Sequence, residues 1–454
     1  MSLFETSLRR AAVEVVQTLR QAGHVAYFAG GCVRDALLGH PPKDYDVATD
    51  ALPEKVISLF RRARFVGEAF GVVLVNMLGD LMSEDEQRDE PDAPRTRQHR
   101  RIHQIEVATF RTEWGYEDGR RPKNVEFTDA ENDARRRDFT VNGLFEDPIA
   151  DDGEARIIDY IGGRADLHAH ILRAIGDAQT RFGEDYLRML RAVRFAARLG
   201  FRLDPATAKA IRKRAAKLSM ISRERIGQEV EAMFTGPAAL RAVRLVQRLE
   251  LDGPVLEEPA ASPPLRTVAG LSRLKRSEAI AFPAMLAGWM IDRHLSPHLP
   301  IVDLLQSFLD ETGSEIVPRW RRALCLPNHH RDALRQSLSL LPATMNWSEL
   351  TKAKRKRLLA HACWPHAWAV TRAMGWSPAV VPIIRMIAAE SQPLLAEGVA
   401  PEPLVNGDDL IRLGVKPGRG FGRALDAVYD EQLEGRITTR QEADAFVRSR
   451  SWAK

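Results

Sequence analysis

Cysteine is scarce in this chain. The 454 residues hold three, Cys32, Cys325 and Cys363, widely separated and odd in number. That excludes a secreted disulfide framework, and no metal-ligand spacing joins them. Long apolar runs are also missing: the best, at 280–291, is short and interrupted by Pro283, whereas a membrane span needs roughly 18–20 apolar residues. The first 23 residues set Glu5 and Glu14 among spaced apolar positions, the pattern of an amphipathic helix and not of a secretion signal. A cytoplasmic protein with no membrane partner is expected. Aromatic residues are few, at 7%, but 44% hydrophobic and 28% charged residues exclude a disordered chain and point to a soluble, helix-leaning one. The length corresponds to about three domains of roughly 150 residues each, enough to bury a core without covalent staples.

Along the chain, residues 25–29 form an apolar strand candidate running into Gly30-Gly31, followed by a helical stretch at 33–38 that ends at Gly39 and Pro41-Pro42. Residues 44–49 alternate like a strand, 53–62 read as helix, and a strand pair is expected near 72–78. Between 83 and 101 the apolar pattern disappears into an acidic run, Glu84 to Asp92, and then a basic one, Arg95 to Arg101, which predicts a solvated insertion between two paired strands. Residues 102–110 resume a period-2 strand. Beyond about 165 helical periodicity dominates, with linkers expected at 259–264 and 398–403.

Asp44 and Asp46 lie two apart in the strand-like run, and period 2 sends both side chains to one face. Parallel carboxylates repel unless a cation neutralises them, and hard oxygen donors suit Mg²⁺. Glu106 is an acidic residue inside an otherwise apolar strand pattern; brought beside the aspartates, it would complete a site for two metals. Each element alone has an ordinary explanation, a turn for Asp-X-Asp and an exposed strand face for Glu106. Gly30-Gly31 lets backbone N–H groups approach a ligand closely, and Arg34 can pair with a phosphate. The Asn328-His-His-Arg-Asp332 run is no metal site, because adjacent histidines diverge on a helix and further ligands are missing.

Five blocks follow one another in order: AGGCVRDALLG at 29–39 with KDYDVAT at 43–49, EVATFR at 106–111, YEDGRRP at 116–122, RRDFTVN at 136–142 and EDYLRMLRAVR at 184–194. Together they closely resemble the class II tRNA nucleotidyltransferases and bacterial poly(A) polymerases, families of the DNA polymerase β-like nucleotidyltransferase superfamily, over about the first 235 residues. The resemblance implies an α+β fold, with a polymerase β-like head of mixed sheet and helices followed by an all-α neck, body and tail. It implies that Asp44, Asp46 and Glu106 bind Mg²⁺ as the catalytic residues, that Gly30, Gly31 and Arg34 meet the incoming nucleotide, and that Arg137 and Asp138 handle ribose and triphosphate. Asp185 and Arg188 are implied as the protein template for CTP or ATP, with Arg191 and Arg194 nearby. Acceptor and donor three residues apart on one helical face could independently present a base-like edge, or simply pair with each other.

The two subfamilies share these blocks. The stretch GEAFGVV at 67–73 looks more like the CCA-adding form than the Gly-Arg-Arg-Phe-like segment of poly(A) polymerases, which favours tRNA as partner. Residues 116–122 resemble a flexible-loop motif that enzymes adding only CC tend to lack, implying terminal A addition. VNGDDLI at 405–411 resembles the tail of class II CCA-adding enzymes, although Asn-Gly-Asp also makes a turn and helix cap. The expected activity is addition of CCA, or its final A, to tRNA from CTP and ATP; the alternatives are a poly(A) polymerase and a silent RNA-binding module. The expected domains are a head at 1–165, a neck at 166–236, a body at 237–400 and an RNA-binding tail at 401–454. The net charge of +5 is uneven: residues 181–230 carry 13 Lys and Arg against five Asp and Glu, an excess suited to an RNA backbone.

Overall fold

A computed structural model describes residues 6–67, 71–81, 100–115, 124–149, 156–295, 315–415 and 417–452. The charged insertion expected at 83–101 lies outside them up to residue 99, while Arg100 and Arg101 already belong to a strand; the 116–122 motif and residues 68–70 also lie outside. The chain divides into two compact units, one of residues 1–226 with 249–254 and the other of residues 227–248 with 255–454.

In the first unit, Thr6 caps α1 (Ser7–Gln21) by accepting the Arg9 N–H at 3.2 Å. Ala12, Val15, Val16 and Leu19 recur at helical spacing and are fully buried, packing α1 on the sheet. Helix α2 (Gly31–Leu37) joins β1 (Ala26–Ala29) to β2 (Asp46–Thr49), and α3 (Pro53–Leu59) leads to β3 (Ala63–Gly67). Next come β4 (Val72–Leu81), β5 (Arg100–Thr109), the β6 (Arg111–Trp114) and β7 (Asn124–Phe127) ribbon, α4 (Ala130–Arg136), β8 (Phe145–Asp147) and β9 (Arg156–Ile158).

Seven strands form one mixed sheet in the order β3-β4-β5-β2-β1-β8-β9. Only the β2–β5 pairing is parallel. It sets Asp46 beside Glu106 and Val47 beside Val107. The predicted strand at 44–49 begins two residues late, so Asp44 precedes β2; the helix predicted to reach residue 62 stops at Leu59, because the chain turns into β3 at Ala63.

Helices then take over: α5 (Gly163–His168), α6 (Ala178–Glu184), α7 (Arg188–Leu199) and α8 (Pro205–Arg214), with β10 (Ile171–Leu172) and β11 (Arg202–Leu203) as a short parallel pair. The unit boundaries fall within α9 (Arg223–Thr235), at the end of α10 (Ala239–Arg248) and within α11 (Asp252–Leu256).

The second unit is helical throughout its described residues. Residues 259–264 carry no regular structure ahead of α12 (Arg266–Leu274), as the linker reading expects. Pro283, the interruption of the apolar run, sits in the first turn of α13 (Phe282–His294), where its missing N–H costs nothing. Eleven consecutive residues of α13, Phe282 to Asp292, are buried, which makes it a core helix. Toward the carboxyl end, Val405, Leu410, Ala424, Val428, Ile437, Ala443 and Val447 form a separate small core. Asn406 and Asp409 close a capping box on the helix Gly407–Arg412 there. Among the described residues no helix is long and apolar enough to cross a membrane.

Candidate active site

The site grows from the end of β1. Gly30 turns the chain from strand into α2 at φ +75°, and a Cβ there would meet the Arg137 guanidinium at 2.9 Å; only glycine takes that backbone without strain or collision. Around this turn opens a cavity of about 480 Å³, whose wall includes Gly30, Gly31, Arg34, Asp44, Asp46, Arg137, Asp138, Arg188, Arg191 and Arg194. Ten of the twelve residues singled out from sequence thus converge, and Glu106 and Asp185 are not on that wall.

Arg34, only 3% exposed, donates to Asn142 Oδ1 at 2.5 Å and to Asp35 Oδ1. Asn142 donates its amide N–H to Asp138 Oδ1 at 3.0 Å, and Arg191 Nε donates to Asp138 Oδ2 at 2.9 Å. Burial penalises the Asp138 charge, yet Arg191 and the Asn142 hydrogen bond outweigh it and hold the carboxyl below its ordinary value. Arg137 is clamped by Asp133 Oδ2 at 3.0 Å and lies over the Phe145 ring. Three guanidiniums gather on the Phe195 ring, with Arg34 and Arg191 at 5.3 Å and Arg194 at 4.5 Å from its centroid.

Asp46 stands in the opposite condition. The surrounding protein withholds water from its carboxylate although its surface stays open, and Asp44 and Glu106 add repulsion; together they push it up to about 6 despite Arg137. Along β5, Ile105 and Val107 are buried while Glu106 is exposed, so the ordinary exposed-face reading of Glu106 and its register beside Asp46 hold at once. The three carboxylates share an excess of negative charge, and hard oxygen donors in that state fit a divalent cation. Among the described residues no three acidic, histidine or cysteine side chains converge into a ready cation cage, so the trio is an open donor set. The thiol of Cys32, buried behind it, is pushed up to about 12 by burial and by Asp46.

Asp185 and Arg188 correct the helical reading. Asp185 has extended backbone after α6, and α7 starts only at Arg188, so the two do not share a helical face. Nor do they pair with each other. Asp185 Oδ1 accepts the Leu187 N–H at 2.9 Å and Oδ2 meets Arg225 at 2.8 Å, while Arg188 pairs with Glu184 and reaches the Arg181 carbonyl at 3.0 Å. Asn142 and Phe195 were missed, although each lies in or beside a quoted block: Asn142 is four residues after Asp138, and Phe195 four after Arg191. Arg225 lies 40 residues from Asp185, and no local pattern announces it.

Residues 26–173 match the family model described as "Poly A polymerase head domain", and residues 200–261 the one described as "Probable RNA and SrmB- binding site of polymerase A". The CCA-adding enzyme of Geobacillus stearothermophilus is 34% identical over 443 residues, 95% of this chain and 94% of the relative. The chain belongs to the CCA-adding enzyme family. Nucleotidyltransferases of this family generally use divalent metal ions. The crystal structure of the Bacillus stearothermophilus CCA-adding enzyme in complex with CTP superposes with a TM-score of 0.67 at 30% identity, covering 98% of both chains. The Thermotoga maritima CCA-adding enzyme complexed with tRNA, at 17% identity and TM-score 0.64 over 98% of this chain and 96% of the other, shares the fold.

Proposed function

We propose that this protein adds CCA to the 3′ end of tRNA from CTP and ATP, releasing pyrophosphate, as a cytoplasmic enzyme. The observation that carries this is the 34% identity with a CCA-adding enzyme along nearly the full length of both chains. The acid-and-arginine cavity supplies the matching chemistry. In this reading residues 1–165 are the catalytic head, 166–236 the neck, 237–400 the body and 401–454 the RNA-binding tail.

Asp44, Asp46 and Glu106 hold Mg²⁺, which when bound lowers the pKa of an attacking hydroxyl and neutralises charge at a phosphate. Gly30 and Gly31 let the triphosphate approach the backbone. Arg34, Arg137, Arg191 and Arg194 pair with its oxygens, and Asp138 fixes the direction in which Arg191 donates. Asp185 accepts from, and Arg188 donates to, the base edge; their present partners, Arg225 and Glu184, hold the two side chains in place between nucleotides. Arg34, Arg137, Arg188 and Arg191 are each held by hydrogen bonds or ion pairs within the protein, which lowers the reorganisation needed during phosphoryl transfer.

The test is to incubate the protein with tRNA transcripts ending before CCA, after C and after CC, and with an unstructured RNA, supplying each nucleotide singly and together. CC from CTP followed by one A from ATP, on tRNA only, is expected. A-only addition to CC ends would narrow the reaction to its last step, and long A tails on the unstructured RNA would overturn the tRNA assignment.

A further inference from the structure

The second unit contains a basic cavity of its own, of about 510 Å³, that the reaction above does not use. Its wall is built by α10 and α12. Arg266 and Arg273 lie seven apart on α12, two turns on one face, with the small Ala269 between them, and Arg244 on α10 comes one turn before Gln247. All three guanidiniums are exposed; the Arg266 charge also favours the buried Asp292 carboxylate behind α12, which is not on the cavity wall. Gln247 is different: it is only 9% exposed, it lines the cavity, and its amide nitrogen has no hydrogen-bond partner. A buried amide left unpaired is destabilising, and an oxyanion in the cavity would supply the acceptor this donor lacks. The Trp376 indole closes one side, with Arg266 over its ring at 5.2 Å and its N–H donating to Thr267 at 3.2 Å.

We infer that Arg244, Gln247, Arg266 and Arg273 form a phosphate-binding site in the second unit, occupied by a backbone phosphate of bound RNA. Three guanidiniums around one neutral amide donor offer charge and hydrogen bonds to an oxyanion, and the wall presents no carboxylate to read a base. RNA is favoured over a free nucleotide because Arg244 and Gln247 fall within the residues that match the RNA-binding model, whereas Arg266, Arg273 and Trp376 lie beyond its end at residue 261. The inference rests on an RNA substrate, so CCA addition by the unaltered protein is measured first and separately.

The experiment measures the affinity of tRNA lacking CCA over a range of KCl concentrations, for the unaltered protein, for the double variant Arg266→Gln/Arg273→Gln and for Gln247→Leu. The double variant is expected to bind tRNA about tenfold more weakly and to lose about one from the slope of log affinity against log salt. Gln247→Leu is expected to weaken tRNA several-fold while its thermal midpoint holds or rises, because the leucine removes an unpaired buried amide. The apparent KM for ATP serves as the control for the separate nucleotide pocket. Unchanged tRNA affinity and salt slope in both variants would overturn the site. Titration with inorganic pyrophosphate tests the other source: a second bound equivalent lost in the double variant, with tRNA affinity intact, would overturn RNA as the occupant.

Discussion

Asp185 and Arg225 form an ion pair at 2.8 Å across 40 residues of sequence, and the pair fixes the orientation of the carboxylate assigned to read the nucleotide base. Arg225 comes from α9, so the orientation of Asp185 depends on how the helices pack and not on the α6–α7 segment alone. Asp185→Ala is expected to weaken discrimination among CTP, ATP, UTP and GTP by roughly 10- to 100-fold, the worth of one paired hydrogen-bonding contact to a base, with little change in tRNA affinity. Arg225→Gln is expected to shift discrimination in the same direction by a smaller factor. Single-turnover rates with each nucleotide measure both, and intact discrimination in Asp185→Ala would remove the template role.

Removing Asp46 deletes the central carboxylate of the trio. Asp46→Ala is expected to lower nucleotide addition by about three orders of magnitude, since charge stabilisation by bound metal is worth several kcal/mol. The far-UV circular dichroism spectrum is expected to stay unchanged, because the side chain is exposed at the start of β2. Glu106→Gln should lose less. Near-normal addition by Asp46→Ala would refute the metal assignment.

Phe195 carries three guanidiniums on one ring. Phe195→Leu keeps most of the apolar volume and removes the ring, at about 0.5–1 kcal/mol for each cation contact. KM for CTP and for ATP should therefore rise together, by about three- to tenfold, with kcat changing less. Phe195→Tyr should restore both. Loss of stability without a change in KM, or no recovery with tyrosine, would reduce the ring to a core residue.

Glu258 anchors the second unit. Burial disfavours its charge, but hydrogen bonds from His294, Trp320 and Arg293 prevail and hold it at about 2. Its folded-state value lies below that of the unfolded chain, so the unfolded state takes up the proton first as pH falls. The stabilisation is thus complete above about pH 4.5 and lost as pH drops toward 2. Glu258→Gln should destabilise the protein at pH 7 by on the order of 3 kcal/mol, and the gap should narrow between pH 4.5 and 3. Urea unfolding at those pH values reads it; a gap independent of pH would assign the loss to packing alone.

Much of the site was legible because its chemistry is local in sequence. Gly30, Arg34, Asp44 and Asp46 fall within 17 consecutive positions, and the strand-turn-helix signals around them hold to within two residues. Asp185 and Arg188 misled for a physical reason: spacing of three predicts a shared face only if the helix runs through both, and here the chain breaks between α6 and α7 to let Asp185 turn toward Arg225. The linker at 259–264 was legible from its prolines, but the cavity beside it was not, because α10, α12 and Trp376 meet only on folding.

By itself the sequence determined the family, the order of strands and helices as far as residue 110, the candidate carboxylates and arginines, and the basic excess from 181 to 230, since residue type, spacing and backbone propensity act over short stretches. Tertiary structure alone decided that β5 lies parallel to β2 so that Glu106 faces Asp46, that Phe195 gathers three arginines, and that Asp185 answers to Arg225. Each of these depends on strand register or on packing between distant segments, where a side chain's partner is chosen by the whole core.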